Sequence, residues 1–293
     1  MTRITLAALL SCTLALSAQP PAASTPPPAP APTTAPSPSR PFTQLYVFGD
    51  SYSDTGAGFP LADGPTAVAY LAQHFSIPFT YYGDPDFKDQ GLNFSVSGAK
   101  TGSVPATPNA AGKSVAHGMK EQVDQFVALL KAGQIKFDPA QTMFFFAGGL
   151  NDRKSPDGYT RTNEEDEIDT LYALGARRFM VALLPTQIPV FATAGTQFNP
   201  ELAKIPAEEQ AKHPDIRIAN SNWGPFFDQV ITHPADYGIT NTTTPCSTLP
   251  RPGEKAVVCD TPSAYFYYFV AHPSTAAHKA AGDMLVKEAL ATH

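Results

Sequence analysis

Short apolar runs that stop at glycine and polar residues, separated by stretches with helical spacing, restrict this chain to one kind of architecture. Gln44–Phe48 (QLYVF) reads as a buried strand and stops at Gly49-Asp50-Ser51. Asn93–Val96, Met143–Ala147 (MFFFA) and Arg178–Leu184 (RFMVALL) read the same way, the last closed by Pro185. Between them, Pro65–Phe75 sets Val68, Leu71, Ala72 and Phe75 on one helical face, and Met119–Lys131 does so with Val123, Phe126, Val127 and Leu130. Asn163-Glu164-Glu165-Asp166 predicts a cap and acidic first turn for a helix over 163–174, and Ser274–Ala291 predicts a C-terminal helix. Strands apolar on both faces and alternating with helices make a parallel sheet covered on both sides. Functional residues in such sheets gather at the carboxyl ends of the strands. Three of those ends carry polar residues: Ser51, the Ser97-Gly98 turn and Asn151. No internal repeat is visible.

The first forty residues have a different character. Met1–Arg3 is short and basic, an apolar run extends from Ile4 to about Leu16, and small residues follow, which is the layout of an export signal over 1–18. Leu9-Leu10-Ser11-Cys12 loosely matches a lipid-attachment box, but Leu10 suits it poorly, so cleavage is expected and a lipoprotein through Cys12 is the lesser alternative. Residues 19–41 are almost wholly Pro, Ala, Ser and Thr, a spacer that cannot bury apolar area. The rest, 42–293, suits one α/β domain of a secreted or periplasmic protein. A net charge of −6 with no basic stripe argues against nucleic acid. Nothing after residue 20 is apolar enough to cross a membrane. Neither a CxxC, an HExxH nor an EF-hand pattern is present, so no metal or cofactor is expected. Cys246 and Cys259 read as a disulfide closing a loop, as an exported protein allows.

Each candidate site residue also has an ordinary reading. Ser51 follows a strand in Gly49-Asp50-Ser51-Tyr52-Ser53-Asp54-Thr55-Gly56, where a hydroxyl at a tight strand-to-helix turn could be a nucleophile beside a free backbone N–H, or simply a helix cap. Gly98 could bring a bare N–H to a ligand, or merely turn the chain. Asn151, in Gly148-Gly149-Leu150-Asn151-Asp152, could donate its amide to an oxyanion or cap the next turn. His272 lies between an apolar stretch and a helix, where a neutral imidazole could activate a serine. His278, within the helix, reads as structural. Asp50 and Asp152 read as acceptors for loop N–H groups that hold the site in shape.

Taken together, Gly-Asp-Ser, Asn-Phe-x-x-x-Gly, Gly-x-Asn-Asp and His-Pro-x-Thr occur in this order from residue 45 to about 290. This resembles the SGNH (GDSL) hydrolase family, which carries Ser, Gly, Asn and His in successive blocks. The resemblance implies a flavodoxin-like, three-layer α/β/α fold with five parallel strands. It implies Ser51 as nucleophile, His272 as general base, and an oxyanion hole from the Ser51 N–H, the Gly98 N–H and the Asn151 amide. One position departs from the pattern: the acid usually found three residues before the histidine is Phe269. A backbone carbonyl in 268–271 could hold the ring instead, giving a Ser–His dyad; Asp260 or Asp283 could fold back; or the chain could be an inactive homologue. The dyad is the expectation, because Ser51, Gly98, Asn151 and His272 all stand in matching contexts.

The expected activity is therefore a serine carboxylic-ester hydrolase working without metal or cofactor. Short-chain, acetyl or carbohydrate-linked esters are the expected substrates, since no long amphipathic lid is visible. An acyltransferase or phospholipase-type lipase of the same family, and a non-catalytic ester- or glycan-binding homologue, are the alternatives. Ser97-Gly98-Ala99-Lys100 and Lys100-Thr101-Gly102 spell fragments of penicillin-binding motifs, but they overlap where that chemistry needs separate elements. No Gly-x-Ser-x-Gly elbow occurs. The run Tyr265–Phe269 could line an acyl pocket or pack in the core, and Trp223 reads as a core anchor rather than a substrate platform.

Overall fold

The computed structural model describes residues 41–57, 61–108, 114–248 and 255–291. The expected export signal and nearly all of the expected spacer lie outside the described residues. The elements, in chain order, are β1 Gln44–Gly49, α1 Ala67–His74, β2 Thr80–Tyr81, β3 Gly91–Asn93, β4 Thr107–Pro108, β5 Ser114–Val115, α2 Met119–Lys131 and β6 Thr142–Ala147. They continue with α3 Tyr159–Ala173, β7 Arg178–Ala182, α4 Ala192–Leu202, α5 Ile205–Lys212, β8 Arg217–Ser221, α6 Trp223–Thr232, β9 Tyr267–Phe269, β10 His272–Pro273 and α7 Thr275–Ala291.

The central sheet runs β2-β3-β1-β6-β7-β8 and is parallel throughout. Without β2, its strand order is the flavodoxin-like 2-1-3-4-5, which puts the switch point between β1 and β6. The expected five strands become six through β2, whose two residues pair Thr80 with Leu92 and Tyr81 with Asn93. Two residues are too few to display a period of two. β1 from Leu45 onward, and all of β6 and β7, are buried. Helices α1 and α6 pack on α7, while α2, α4 and α5 pack on α3. Phe48, Phe94, Phe126 and Phe146 interlock across β1 with ring centroids 5.1–6.0 Å apart. Each such ring contributes about 1.5–3 kcal/mol when fully buried, so the strands beneath the site are held firmly.

Two expected elements are displaced. The second strand is Gly91–Asn93, ending where the apolar run was expected to begin it. The chain beyond still lies along β1: Phe94 N–H donates to Val47 O at 2.8 Å and Val96 N–H to Gly49 O at 3.1 Å. Helix α3 begins at Tyr159, after Gly158 at φ 76°, so Asn163 is no cap. Its Nδ2 instead donates to Thr101 Oγ1 at 3.1 Å. Glu164, expected in the acidic first turn of that helix, is buried, and so is Glu167. Burial pushes both carboxyls well above the usual range, because it disfavours the charged form. β8 went unread because RIANS mixes polar and apolar residues.

Candidate active site

β1 delivers the chain to the carboxyl edge through Gly49, which must be glycine because a Cβ there would stand 2.5 Å from Ala147 O. Its N–H and C=O are both held by one buried side chain, Gln122, with Oε1 accepting and Nε2 donating at 2.9 Å. The chain then makes a single turn in which Ser53 N–H and Asp54 N–H donate to Asp50 O, both at 3.1 Å. The expected strand-to-helix junction is thus this one turn: the next helix, α1, begins only at Ala67, and Ser51 caps nothing. Ser51 is 8% exposed, and its backbone N–H has no partner among the described residues.

Three loops close around that serine. Asp54 joins the first two: Oδ2 accepts from Ser97 N–H at 2.7 Å and Ser97 Oγ at 2.9 Å, while Oδ1 accepts from Gly56 and Ala57 N–H. Asn93 adds a second tie, donating to Ser53 O at 2.7 Å. Gly98 sits in the resulting turn at φ 86°, and its N–H is also unpartnered among the described residues. From the end of β6, Asn151 donates through Nδ2 to Ala99 O at 2.9 Å, which leaves that amide a second proton. Asp152 fastens the same loop, accepting from Thr101 Oγ1 at 2.5 Å and Thr160 Oγ1 at 3.0 Å. Asp50 accepts from Tyr52 N–H at 3.2 Å, and its other oxygen is buried without a partner. Burial raises Asp50 to about 8 and lifts Asp152 above the usual carboxylate range against the pull of its threonines.

His272 comes from the far end of the chain, on the hairpin of β9 and β10. Its Nε2 lies 2.8 Å from Ser51 Oγ. Burial holds the ring well down, at about 4, with the Phe269 carbonyl pulling weakly the other way. That carbonyl does not reach hydrogen-bond geometry, and buried Nδ1 has no partner. Among the described residues no carboxylate bonds the ring: Asp283 pairs with Lys279 at 2.7 Å, and Asp260 is exposed. What the ring does touch is Tyr52, at 5.5 Å between centroids, and Phe191, at 6.1 Å. The Tyr52 hydroxyl donates to Ala271 O at 2.5 Å.

The other sequence candidates fall into place around this centre. His278 is buried, takes the Ala67 N–H on Nδ1 at 3.3 Å and does not bond Ser51. Trp223 is wholly buried against Tyr52 and Phe227. Of the aromatic run, Phe266 and Tyr267 are buried, while Tyr265, Tyr268 and Phe269 are half-buried. Cys246 and Cys259 lie within disulfide-bonding distance, with Cα atoms 5.0 Å apart. Ser247 N–H, next to Cys246, donates to Tyr268 O at 2.7 Å, so that loop braces the histidine hairpin. A cavity of about 340 Å³ lies beside Asp54, Thr55 and Phe79, but neither Ser51 nor His272 lines it. The trio Asp169, Glu209 and His213 could in principle hold a metal, yet Lys212 Nζ already lies 2.6 Å from Glu209 and 3.7 Å from Asp169.

Sequence reasoning missed Gln122, Asp54, Asn93 and Tyr52. Tyr52, Asp54 and Asn93 had a local signal, since they stand in the two quoted blocks around Ser51 and before Gly98, whereas Gln122 had none.

A serine hydroxyl bonded to an imidazole, with unpartnered N–H groups beside it at the carboxyl edge of a doubly wound sheet, is the arrangement of an ester-bond hydrolase on a flavodoxin-like frame. Residues 45–285 match the GDSL-like lipase/acylhydrolase family, and the chain belongs to it. It is 22% identical to a GDSL esterase/lipase of Arabidopsis thaliana, over 84% of this chain and 86% of that one. Among solved structures it is similar to a member of the lipolytic G-D-S-L family from Veillonella parvula, at 12% identity and a TM-score of 0.47, covering 83% of this chain and 96% of that one. Among the described residues no helix is long and apolar enough to cross a membrane.

Proposed function

We propose that the chain is an exported carboxylic-ester hydrolase that works through an acyl-enzyme, with Ser51 as nucleophile and His272 as general base in a Ser–His dyad. In this reading residues 1–18 are the export signal, 19–41 the spacer and 42–293 the hydrolase domain. The observation that carries the chemistry is the 2.8 Å contact of His272 Nε2 with Ser51 Oγ, together with Ser51 and Gly98 N–H groups that have no partner among the described residues.

His272 Nε2 takes the hydroxyl proton as Ser51 Oγ attacks the ester carbonyl. The oxyanion of the tetrahedral intermediate accepts from the Ser51 N–H, the Gly98 N–H and the spare Asn151 proton. The intermediate collapses to the acyl-serine while His272 returns the proton to the departing alcohol. Water, deprotonated by His272, then attacks the acyl-serine and releases the acid. The buried ring is unprotonated at neutral pH and so is free to accept the hydroxyl proton, but at about 4 it is a weaker base than a free imidazole. Short-chain, acetyl or carbohydrate-linked esters are the substrate class.

The test is hydrolysis of p-nitrophenyl acetate by the wild type and by Ser51→Ala. Activity abolished by the substitution supports the reading, and wild-type activity no greater than the variant's overturns it. Adding glycerol or a sugar and seeing new ester form would reassign the second half-reaction to acyl transfer.

A further inference from the structure

If Ser51 and His272 act as proposed, something must fix the imidazole in place of the acid that Phe269 has displaced. From the contacts of Tyr52 we infer that it is the positioning residue of His272, fixing the ring from its other side through the Ala271 carbonyl.

Three independent features converge on this tyrosine. It is wholly buried, and its hydroxyl donates to Ala271 O at 2.5 Å, the carbonyl of the peptide that leads directly into His272. Its ring packs on the imidazole at 5.5 Å and is itself wedged edge-on by Phe191, Trp223 and Phe227, each with centroids 5.4–5.5 Å away. A side chain so enclosed has no second rotamer to visit. Third, the chain just before Ala271 is strained: Val270, β-branched and 53% exposed, sits at φ 48°. Such a conformation persists only where the surroundings over-determine it. The tyrosine hydroxyl is the buried bond that holds the next residue.

The position of Tyr52 also explains why one residue can serve. It follows Ser51 directly, so the turn that aims the nucleophile also aims the tyrosine. Nucleophile and base therefore share one anchor, across a sequence separation of 219 residues for the Tyr52–Ala271 bond. Tyr52 is wholly buried, so it acts through His272 rather than on a solvent-borne substrate.

Tyr52→Phe removes the hydroxyl and keeps the ring packing. On p-nitrophenyl acetate it is expected to lower kcat about tenfold, or about 1.4 kcal/mol, with KM unchanged. Circular dichroism should match the wild type. Phe269→Asp, added to Tyr52→Phe, should recover much of the lost kcat, because it restores the acid that the family pattern carries three residues before the histidine, and such a carboxylate orients the ring without the tyrosine. A general packing defect would gain nothing from that carboxylate. Wild-type kcat in Tyr52→Phe overturns the inference, as does a loss confined to KM or, once Phe269→Asp alone is seen to shift the acid limb of the pH profile, a loss that Phe269→Asp leaves untouched. Ser51→Ala separates the two layers of the argument. An active Ser51→Ala variant overturns the proposed chemistry, whereas an inactive one beside a fully active Tyr52→Phe overturns only the role of Tyr52.

Discussion

Replacing Asp50 with asparagine should stabilise the protein at neutral and alkaline pH and leave it nearly unchanged in acid. Asp50 is fully buried, and only one of its oxygens is partnered. Burial raises its carboxyl from the ordinary 3.8 to about 8, with Asp152 and Asp54 adding smaller repulsions. Between those two values the folded protein binds a proton that the unfolded chain releases. Stability therefore falls as pH rises across that window and levels off above it. At pH 7 about three units of the window have been crossed, which at 1.36 kcal/mol per unit gives an upper figure of about 4 kcal/mol. Asparagine keeps an acceptor for the Tyr52 N–H and has no proton to lose. The other buried acids titrate in both proteins, so the difference between them isolates Asp50. For a domain of this size, 4 kcal/mol corresponds to a Tm difference of about 10 °C. The assay is thermal unfolding of both proteins from pH 4 to 9, with the gap near zero at pH 4 and growing through pH 8. A gap independent of pH would refute the argument, because it would mean that Asp50 carries the same charge in both states.

Other consequences can be checked alongside. Since burial holds His272 near 4, the proposed base is neutral above that pH. The acid limb of kcat/KM should have its midpoint between pH 4 and 5, and a midpoint at the free-imidazole value of about 6.5 would contradict the buried ring. Gly98→Ala meets no atom within 4 Å but must adopt φ 86°. It should cost about 1–2 kcal/mol in denaturant unfolding, and kcat should drop as the N–H swings away. Replacing Cys246 and Cys259 with serine opens a loop of sequence separation 13. A loss of about 3 kcal/mol is expected, together with reduced kcat, because the loop braces the strand that carries Phe269.

As candidates, Ser51, Gly98, Asn151 and His272 could be picked from the sequence because each is defined by its neighbours in the chain: three follow apolar strands and one precedes a helix. The residues that bring them together could not, because their partners lie far off in sequence. Gln122 holds Gly49 across 73 residues, and Asp54 holds Ser97 across 43. Gln122 lies in no quoted block, and the block around Asp54 does not say which distant group that carboxylate holds. Glu164 failed for a related reason. A glutamate beside Asn163 reads as part of an acidic first turn unless its burial is known in advance. The sixth strand and RIANS escaped because periodicity needs length and contrast, and these segments lack one or both.

Phe269 shows how these two kinds of information meet. Local sequence can report that an acid is missing from its usual place, but it cannot say whether its work is missing too. A triad acid orients the imidazole and stabilises its charge. Orientation can be supplied by any rigid contact, and a wholly buried Tyr52 bonded to Ala271 is one. Charge stabilisation needs a negative group, and only the Phe269 carbonyl dipole acts on the ring in that sense. Rebuilding the acid by Phe269→Asp in the otherwise wild-type chain should therefore raise the midpoint of the acid limb above that of the parent. Its effect on kcat should remain smaller than the rescue it gives to Tyr52→Phe, because orientation is already provided. A Phe269→Asp protein with an unmoved acid limb would mean that the position no longer faces Nδ1, and that this hairpin has drifted beyond what one substitution restores.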